Sequence, residues 1–312
     1  MPSDDLGVTR VWRPGRPVDP VTILGPLARG RADPAYRLDP GGALWRTTRT
    51  PEGPATVRIT ARPAEGTVEQ VAWGPGAAWA TDRLPITLGD GDDPAGFVAD
   101  ALPPVLREAW RRHGRSWRVP ATGRVLEALL AAVLEQKVTG RESRRAWRYL
   151  LVRHGERAPG PAPDGMRVPP SASALRRVPS WEWHRAGVEG VRSQTVLRCA
   201  AVADRLEECA DLPSDAARAR LTSVPGVGPW TAAEVAQRAL GDADAVSFGD
   251  FHLAHHLVYA LTGETDGDDE RMAALLAPYA PHRYRVQRLV ELAGVQRPAR
   301  GPRITPRDIR PL

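Results

Sequence analysis

The sequence is most informative between Ser223 and Leu261, where it reads SVPGVGPWTAAEVAQRALGDADAVSFGDFHLAHHLVYAL. A short helical pattern ends before VPGVG, and a longer one, PWTAAEVAQRAL, begins directly after it. Gly226 and Gly228 permit positive φ and a close backbone approach, and Pro229 is typical of a first helical position. The amides of this turn and the start of the following helix would attract an anion. The pattern therefore predicts two helices joined by a turn that holds a phosphate, or else a tight turn that binds nothing.

The composition describes an arginine-rich globular protein. The chain has 312 residues, of which 42% are hydrophobic, and its net charge is +6. Of its 43 basic residues, 42 are arginine, and Lys137 is the one lysine. This charge suits a polyanionic partner. We expect a cytoplasmic protein, because no apolar run approaches about 18 residues and the first residues lack the basic segment followed by an apolar segment that is typical of a signal peptide.

Changes in composition divide the chain into four segments. Residues 1–20 are polar and rich in proline, which predicts a flexible arm. Residues 21–102 contain ATVRITA and TVEQVAW, whose alternation predicts a small α+β domain with an antiparallel sheet. Residues 103–296 show helical spacing, and a proline-rich linker divides them, so they predict a mainly α, two-part helical domain. We expect the basic tail, residues 297–312, to be disordered and to contact nucleic acid without sequence preference.

Three stretches carry a more specific resemblance. VPGVGPWTAAEVAQRALGDADAVSFGD is similar to the helix-hairpin-helix (HhH-GPD) DNA glycosylase superfamily, in particular to the bacterial 3-methyladenine DNA glycosylase II (AlkA-like) branch. LEALLAAVLEQKVTGRESRRAW and LLAPYAPHRYRVQRLVELAG resemble two further segments of that family. The resemblance covers most of residues 105–295. It implies a two-part helical glycosylase domain preceded by a smaller α+β domain.

The resemblance identifies Asp250 as the catalytic residue. Breaking a glycosidic bond gives the sugar oxocarbenium character, which a fixed carboxylate stabilises. Asp250 precedes FHLAHHLVYAL, so we also expect it to cap that helix, and from spacing alone it would be only a cap. The hairpin residues Gly226, Val227, Gly228 and Thr231 would hold a DNA phosphate.

The resemblance places Trp230, Glu234 and Tyr279 at the lesion pocket. Trp230 and Glu234 are four residues apart and share a helix face, and an indole ring suits a cationic alkylated purine. The family often has an aromatic residue where this chain has Glu234. That glutamate would attract a charged base or hydrogen-bond its edge, or else form a surface ion pair with Arg238. Tyr279 would face the same pocket or lie in the core.

The resemblance also predicts a wedge at Gln136 and Lys137, which end an apolar helix. A wedge fills the gap that a flipped base leaves in the duplex. Well-known relatives carry an apolar wedge at the position of Lys137. The aliphatic stem of Lys137 would fill the gap while its amine reaches a phosphate. The alternative is an exposed lysine at a helix end. Bifunctional members carry a nucleophilic lysine at the position of Trp230. The resemblance therefore implies a monofunctional enzyme, in which Lys137 would form at most an adventitious Schiff base with the abasic site.

The sequence thus predicts a monofunctional glycosylase of base excision repair that flips alkylated purines, such as 3-methyladenine and 7-methylguanine, out of double-stranded DNA. One alternative is a glycosylase for deaminated or oxidised bases such as hypoxanthine, and another is a non-catalytic DNA-binding protein. We expect no metal site and no iron–sulfur cluster, since the chain has only two cysteines. His252, His255 and His256 are predicted to be packed or solvated. A monovalent ion at the hairpin is compatible with the resemblance. We expect a monomer associated with the nucleoid, without membrane contact.

Overall fold

The computed structural model of the chain describes residues 6–298. It is mainly helical and contains a five-stranded antiparallel sheet formed by the N-terminal part, which confirms the predicted fold class. The strands of this sheet are β1 (Val8–Trp12), β2 (Tyr36–Leu38), β3 (Leu44–Thr50), β4 (Gly53–Arg62) and β5 (Thr67–Trp73), in the order β1-β5-β4-β3-β2. A second, two-stranded ladder pairs β6 (Glu156–Arg157) with β7 (Arg167–Val168).

The two strands that the sequence predicts lie next to each other in the centre of the sheet. Val57 and Ile59 of β4 pack in one buried cluster with Val68 and Ala72 of β5. They share a face because successive side chains of a strand point to opposite sides. Trp73 belongs to the other face, where it packs in a separate cluster with a tryptophan of β3. Both faces of the sheet are therefore partly covered.

The prediction of a flexible arm over residues 1–20 is wrong for the part that forms strand β1, while residues 1–5 lie outside the described part of the chain. Val8–Trp12 pairs with β5 along its whole length, and the Arg10 guanidinium donates to the backbone carbonyl of Asp82 at 2.9 Å. Asp19 then caps α1 by accepting the N–H groups of Val21 and Thr22. Val8, Thr9 and Val11 are exposed, and β1 is an edge strand of the sheet, next to β5.

The helices follow the sequence pattern closely in the second half of the chain. As the sequence predicts, one helix, α11 (Ser214–Thr222), ends before the VPGVG turn and the next, α12 (Pro229–Val235), begins directly after it; α12 continues as a π-helical turn, Ala236–Leu240. The α-helices are α1 (Pro20–Leu24), α2 (Ala77–Asp82), α3 (Leu84–Thr87), α4 (Pro104–His113), α5 (Val125–Glu135), α6 (Gly140–His154), α7 (Ala172–Arg176), α8 (Ser180–Ala186), α9 (Gly190–Ala201), α10 (Ala203–Glu207), α11 (Ser214–Thr222), α12 (Pro229–Val235), α13 (Leu253–Thr262), α14 (Asp269–Leu276) and α15 (Arg283–Ala293). The apolar helix α5 contacts α6, α9 and α12 and is buried over most of its length.

The sheet and the last helix pack against each other. Arg285 of α15 donates to both carboxylate oxygens of Asp92, at 3.0 and 2.7 Å, and both side chains are buried. Asp92 lies in the charged stretch GDGDDPAG, shortly before the predicted boundary between residues 102 and 103. Trp117 and Tyr284 extend the cluster on the sheet. The contacts across the predicted boundary are thus buried and include charged groups.

The predicted basic tail begins at Arg297, and its residues 299–312 lie outside the described part of the chain. The N–H group of Arg297 donates to Nδ1 of His256 at 3.0 Å, and its guanidinium donates to the carbonyl of Thr265 at 2.8 Å. The first residue of the tail is therefore attached to α13 and to the loop after it. Across residues 6–298, the helices are too short or too polar to span a lipid bilayer.

Candidate active site

The turn between α11 and α12 leaves two backbone donors without an acceptor. Gly226 has φ +97°, and a Cβ at this position would lie 2.1 Å from Oγ1 of Thr195, so only glycine fits. The N–H groups of Gly226 and Gly228 have no hydrogen-bond acceptor within residues 6–298. The N–H of Val227 instead donates to the carbonyl of Val224 at 2.9 Å. Two of the three predicted phosphate-binding amides can therefore bind an anion, while Val227 closes the turn.

The carbonyls of the same turn accept hydrogen bonds from other parts of the protein. The Arg198 guanidinium donates to Pro225 at 3.3 Å, and Nε2 of Gln136 donates to Gly226 at 3.0 Å and to Oγ1 of Thr231 at 2.9 Å. Contacts within the protein do not test a contact with DNA, so the predicted roles of Gln136 and Thr231 stay predictions. The Gln136 amide supports the hairpin from within, and the Thr231 side chain is buried. A monovalent ion at this turn would have to share its carbonyls with protein donors.

Lys137 lies at a fixed tip between α5 and α6. It has φ +53° and is the one non-glycine residue with positive φ in the described part of the chain. Its side chain is exposed. The preceding Gln136 is attached to the hairpin, and Thr139 begins α6 with a capping box that involves Glu142. A left-handed backbone conformation at a non-glycine residue is uncommon and costs free energy. It persists here because the contacts of Gln136 and Thr139 on both sides fix the backbone of Lys137.

Asp250 is held by three hydrogen-bond donors. Its Oδ1 accepts the N–H groups of His252 and Leu253, each at 2.9 Å. Its Oδ2 accepts the indole N–H of Trp230 at 3.2 Å. The predicted capping contact is therefore present, although α13 begins only at Leu253. The carboxylate is half-buried, and its three hydrogen-bonding partners within the described ranges are uncharged N–H groups.

Glu234 lies one turn after Trp230 on α12, but its carboxylate has partners in the interior. Its Oε2 is 2.8 Å from the Arg238 guanidinium, and its Oε1 accepts the Ser247 hydroxyl at 2.6 Å. Only 8% of Glu234 is exposed. Burial raises the pKa of the Glu234 carboxyl, while Arg238 and Ser247 act in the opposite direction. The ion pair with Arg238 that the sequence offers as an alternative is thus formed, but it is buried rather than on the surface.

Two further ion pairs lie close enough to affect Glu234. Arg29 contacts Glu135 at 3.5 Å, and Arg288 contacts Glu291 at 2.7 Å. The charges of Glu135 and Glu291 both raise the pKa of Glu234. The region beside the second turn of α12 is therefore polar, and each of its three acidic side chains has an arginine partner.

A small cleft with a cavity volume of about 20 Å³ lies between the sheet and α5. Its lining includes Arg29 and Arg238 together with Tyr36 of β2 and Glu127 of α5. Asp250 and the hairpin do not belong to this lining. The cleft is therefore separate from the Asp250 carboxylate. The candidate site consists of Asp250, its hydrogen-bond donors and the hairpin.

Tyr279, which the resemblance assigns to the lesion pocket or the core, packs against an earlier loop. Its hydroxyl donates to the carbonyl of Ala101 at 3.4 Å, and its ring centroid is 6.3 Å from that of Phe97. It also borders the apolar cluster that contains Leu253. None of these contacts reaches Trp230 or Asp250, and the partly exposed Tyr279 lies at the border of this cluster.

Two of the three histidines after Asp250, His252 and His256, make packing contacts. The rings of His252 and His256 stack with centroids 5.8 Å apart, and His256 accepts the N–H of Arg297. Burial lowers the pKa of His256. In the part of the chain that the structure describes, no three His, Cys, Asp or Glu side chains are arranged to hold a metal ion.

Three residues of the site carry no signal in the sequence. Arg198 contacts the hairpin, and Ser247 donates to Glu234. Asp269 accepts the N–H of Gly249 at 2.7 Å, which fixes the loop in front of Asp250. None of the three belongs to a recognisable motif, and only their contacts in space relate them to the site.

The architecture is shared with solved structures. The 3-methyladenine DNA glycosylase from Archaeoglobus fulgidus has a TM-score of 0.75 and 17% identity, with 91% of this chain and 98% of that chain covered. The 8-oxoguanine glycosylase/lyase from Clostridium acetobutylicum has a TM-score of 0.67 and 12% identity, with 93% of this chain and 99% of that chain covered. The 3-methyladenine DNA glycosylase from Schizosaccharomyces pombe, in complex with abasic DNA, has a TM-score of 0.52 and 15% identity, with 65% and 98% covered. No protein-family model and no curated protein matches the sequence. The chain therefore has the fold of the helix-hairpin-helix (HhH-GPD) DNA glycosylases.

Proposed function

We propose that this protein is a DNA glycosylase of base excision repair. It binds double-stranded DNA, flips a damaged base out of the helix and hydrolyses the N-glycosidic bond. The observation that carries this proposal is the Asp250 carboxylate, which three N–H groups fix next to the hairpin. The unpaired amides of Gly226 and Gly228 hold a phosphate and so position the duplex. The carboxylate then stabilises the positive charge that develops on the sugar.

Within this class we propose alkylated purines as substrates, as in the bacterial 3-methyladenine DNA glycosylase II branch. The indole ring beside Asp250 offers a π face to a cationic base. A base that already carries a positive charge needs little proton donation to leave. This agrees with an aspartate whose hydrogen-bonding partners in the described chain are N–H groups rather than a second acid.

One observation favours a second substrate class, deaminated or oxidised bases such as hypoxanthine. The ion pairs around Glu234 make the region next to Trp230 polar, and polar groups can hydrogen-bond the edge of a neutral base. Competition between methylated and hypoxanthine-containing duplexes distinguishes the two classes. The alkylated purine is the better supported one, because both oxygens of Glu234 already have partners.

We further propose that the enzyme is monofunctional. Trp230 stands at the position that carries a nucleophilic lysine in bifunctional members, and an indole cannot form an imine. Lys137 is the one lysine of the chain. Borohydride trapping on DNA with an abasic site is expected to give no efficient covalent adduct. If a slow adduct forms through the Lys137 amine, Lys137→Arg is expected to abolish it.

Base release from methylated duplex DNA tests the proposal. The wild type is expected to release 3-methyladenine or 7-methylguanine, and Asp250→Asn is expected to lower the rate about 100-fold or more. The variant should still bind DNA, because the hairpin is unchanged. Release of hypoxanthine alone would replace the alkylated purine as substrate. A wild type that binds DNA and releases neither kind of base would show a non-catalytic DNA-binding protein.

A further inference from the structure

Trp230 makes a direct contact with the carboxylate that carries the proposed reaction. Its Nε1 lies 3.2 Å from Oδ2 of Asp250, and the other oxygen, Oδ1, is bound by two backbone N–H groups. We infer that Trp230 is a positioning residue: its indole N–H orients the Asp250 carboxylate toward the sugar, whatever base the ring contacts. This inference rests on the proposed glycosylase function.

The indole is needed because the backbone donors bind one oxygen only. The terminal torsion of an aspartate side chain has a broad energy profile, so a carboxylate fixed at Oδ1 can still turn. Within residues 6–298, the Trp230 indole is the hydrogen-bond donor that holds Oδ2. With both oxygens held, the remaining lone pairs keep one direction. A charge that is already oriented stabilises the transition state without reorganisation during the reaction.

The position of the indole is itself set by the hairpin. Trp230 lies in the first turn of α12, directly before the buried Thr231, whose hydroxyl accepts the Gln136 amide at 2.9 Å. On the other side, a Cβ added at Gly249 would lie 4.0 Å from the Cβ of Trp230. A continuous set of contacts thus leads from the end of α5, through the hairpin helix, to Asp250. The same turn that holds a DNA phosphate therefore fixes the group that orients the carboxylate.

The variant Trp230→Phe separates orientation from stacking, because it keeps an aromatic ring and removes the N–H. Single-turnover release of 7-methylguanine at saturating enzyme should fall about tenfold, the size expected when one hydrogen bond to a charged group is lost. The enzyme concentration at half-saturation should change less than about twofold, since the N–H acts on the chemical step. Trp181→Phe is the matched control: it removes an indole N–H from an exposed tryptophan of α8 and should leave the rate unchanged.

Two results would overturn the inference. One is an unchanged rate in Trp230→Phe, and the other is a lower rate that the weaker affinity explains entirely, which would indicate stacking alone. Urea unfolding of both variants shows whether the fold is intact, and a folded Trp230→Phe is required for either conclusion. If Trp230→Phe does not fold, Trp230→His, which keeps a ring and an N–H donor, must retain more activity than Trp230→Leu. If the wild type and Trp181→Phe release no base, the proposed function fails first and the inference fails with it.

Discussion

The two turns of helix α12 place the carboxylates of Asp250 and Glu234 in different surroundings. At the first turn, Trp230 donates a neutral N–H to Asp250, which remains half-buried beside the hairpin. At the second turn, Glu234 is buried between the cation of Arg238 and the hydroxyl of Ser247. One carboxylate has uncharged partners and an open side, and the other has a charged partner in the interior.

This difference indicates which carboxylate is available for chemistry. A negative charge stabilises a developing positive charge only if a permanent cation does not already neutralise it. Arg238 neutralises Glu234 at 2.8 Å, whereas the donors to Asp250 are neutral and fix its position without cancelling its charge. We therefore propose that Asp250 acts in the reaction and that Glu234 stabilises the fold. The following predictions test this assignment, beginning with the largest expected effect.

The largest effect is expected for the buried pair. Glu234→Ala or Arg238→Ala should lower the free energy of unfolding by about 3–5 kcal/mol, because either change leaves a buried charge without its partner. Asp250→Ala should cost only about 0.5–2 kcal/mol, the value of a lost helix cap. Urea denaturation monitored by circular dichroism measures all three variants.

A double variant provides the control for the buried pair. Replacing Glu234 and Arg238 together with methionine should cost less than either alanine substitution, since an apolar pair leaves no unpaired charge. Single substitutions that cost less than about 1 kcal/mol would contradict the assignment, because exposed pairs have such values. Glu234 would then have to be reconsidered as a residue that faces the substrate.

The next effect concerns the hairpin. Gly226→Ala should weaken DNA binding about tenfold or more, because a side chain at φ +97° is strained and its Cβ would collide with Thr195. Gly190→Ala is the matched control, since Gly190 lies outside the hairpin, has no positive φ, and its Cβ would meet no atom within 4 Å. Fluorescence anisotropy with a duplex at fixed salt concentration measures both variants. Wild-type affinity in Gly226→Ala would show that the turn does not hold a phosphate.

Much of the fold follows from local signals in the sequence. The glycines of the turn and Pro229 place the start of α12 correctly, because these residues restrict or free the backbone independently of distant contacts. Strand β1 is different. Its backbone pairs with β5, which lies far along the chain, and its mostly exposed side chains lack the alternation of a half-buried strand. A short edge strand without this alternation therefore carries no local signal that distinguishes it from a loose arm.

The site follows from the sequence only in part. The resemblance identifies Asp250 and Trp230, but the hydrogen bond between them depends on side-chain orientation, which spacing does not determine. The partner of Gln136 is 95 positions away along the chain, so its contact with Thr231 has no local signature. The burial of Glu234 likewise depends on Ser247, which lies in the loop after α12. Contacts of this kind result from tertiary packing.

The smallest effect is expected at Gln136, where the structure and the resemblance differ. Gln136→Leu removes two hydrogen bonds to the hairpin and should weaken DNA binding about three- to fivefold. The loss should be equal for an undamaged duplex and for one with an abasic-site analogue, because the change acts through the phosphate contact. Lys137→Ala, at the exposed tip, should weaken binding to the abasic duplex selectively, as expected of a side chain that enters the gap. A loss in Gln136→Leu that is confined to the abasic duplex would mean that Gln136 leaves the hairpin and enters the DNA, as the resemblance implies.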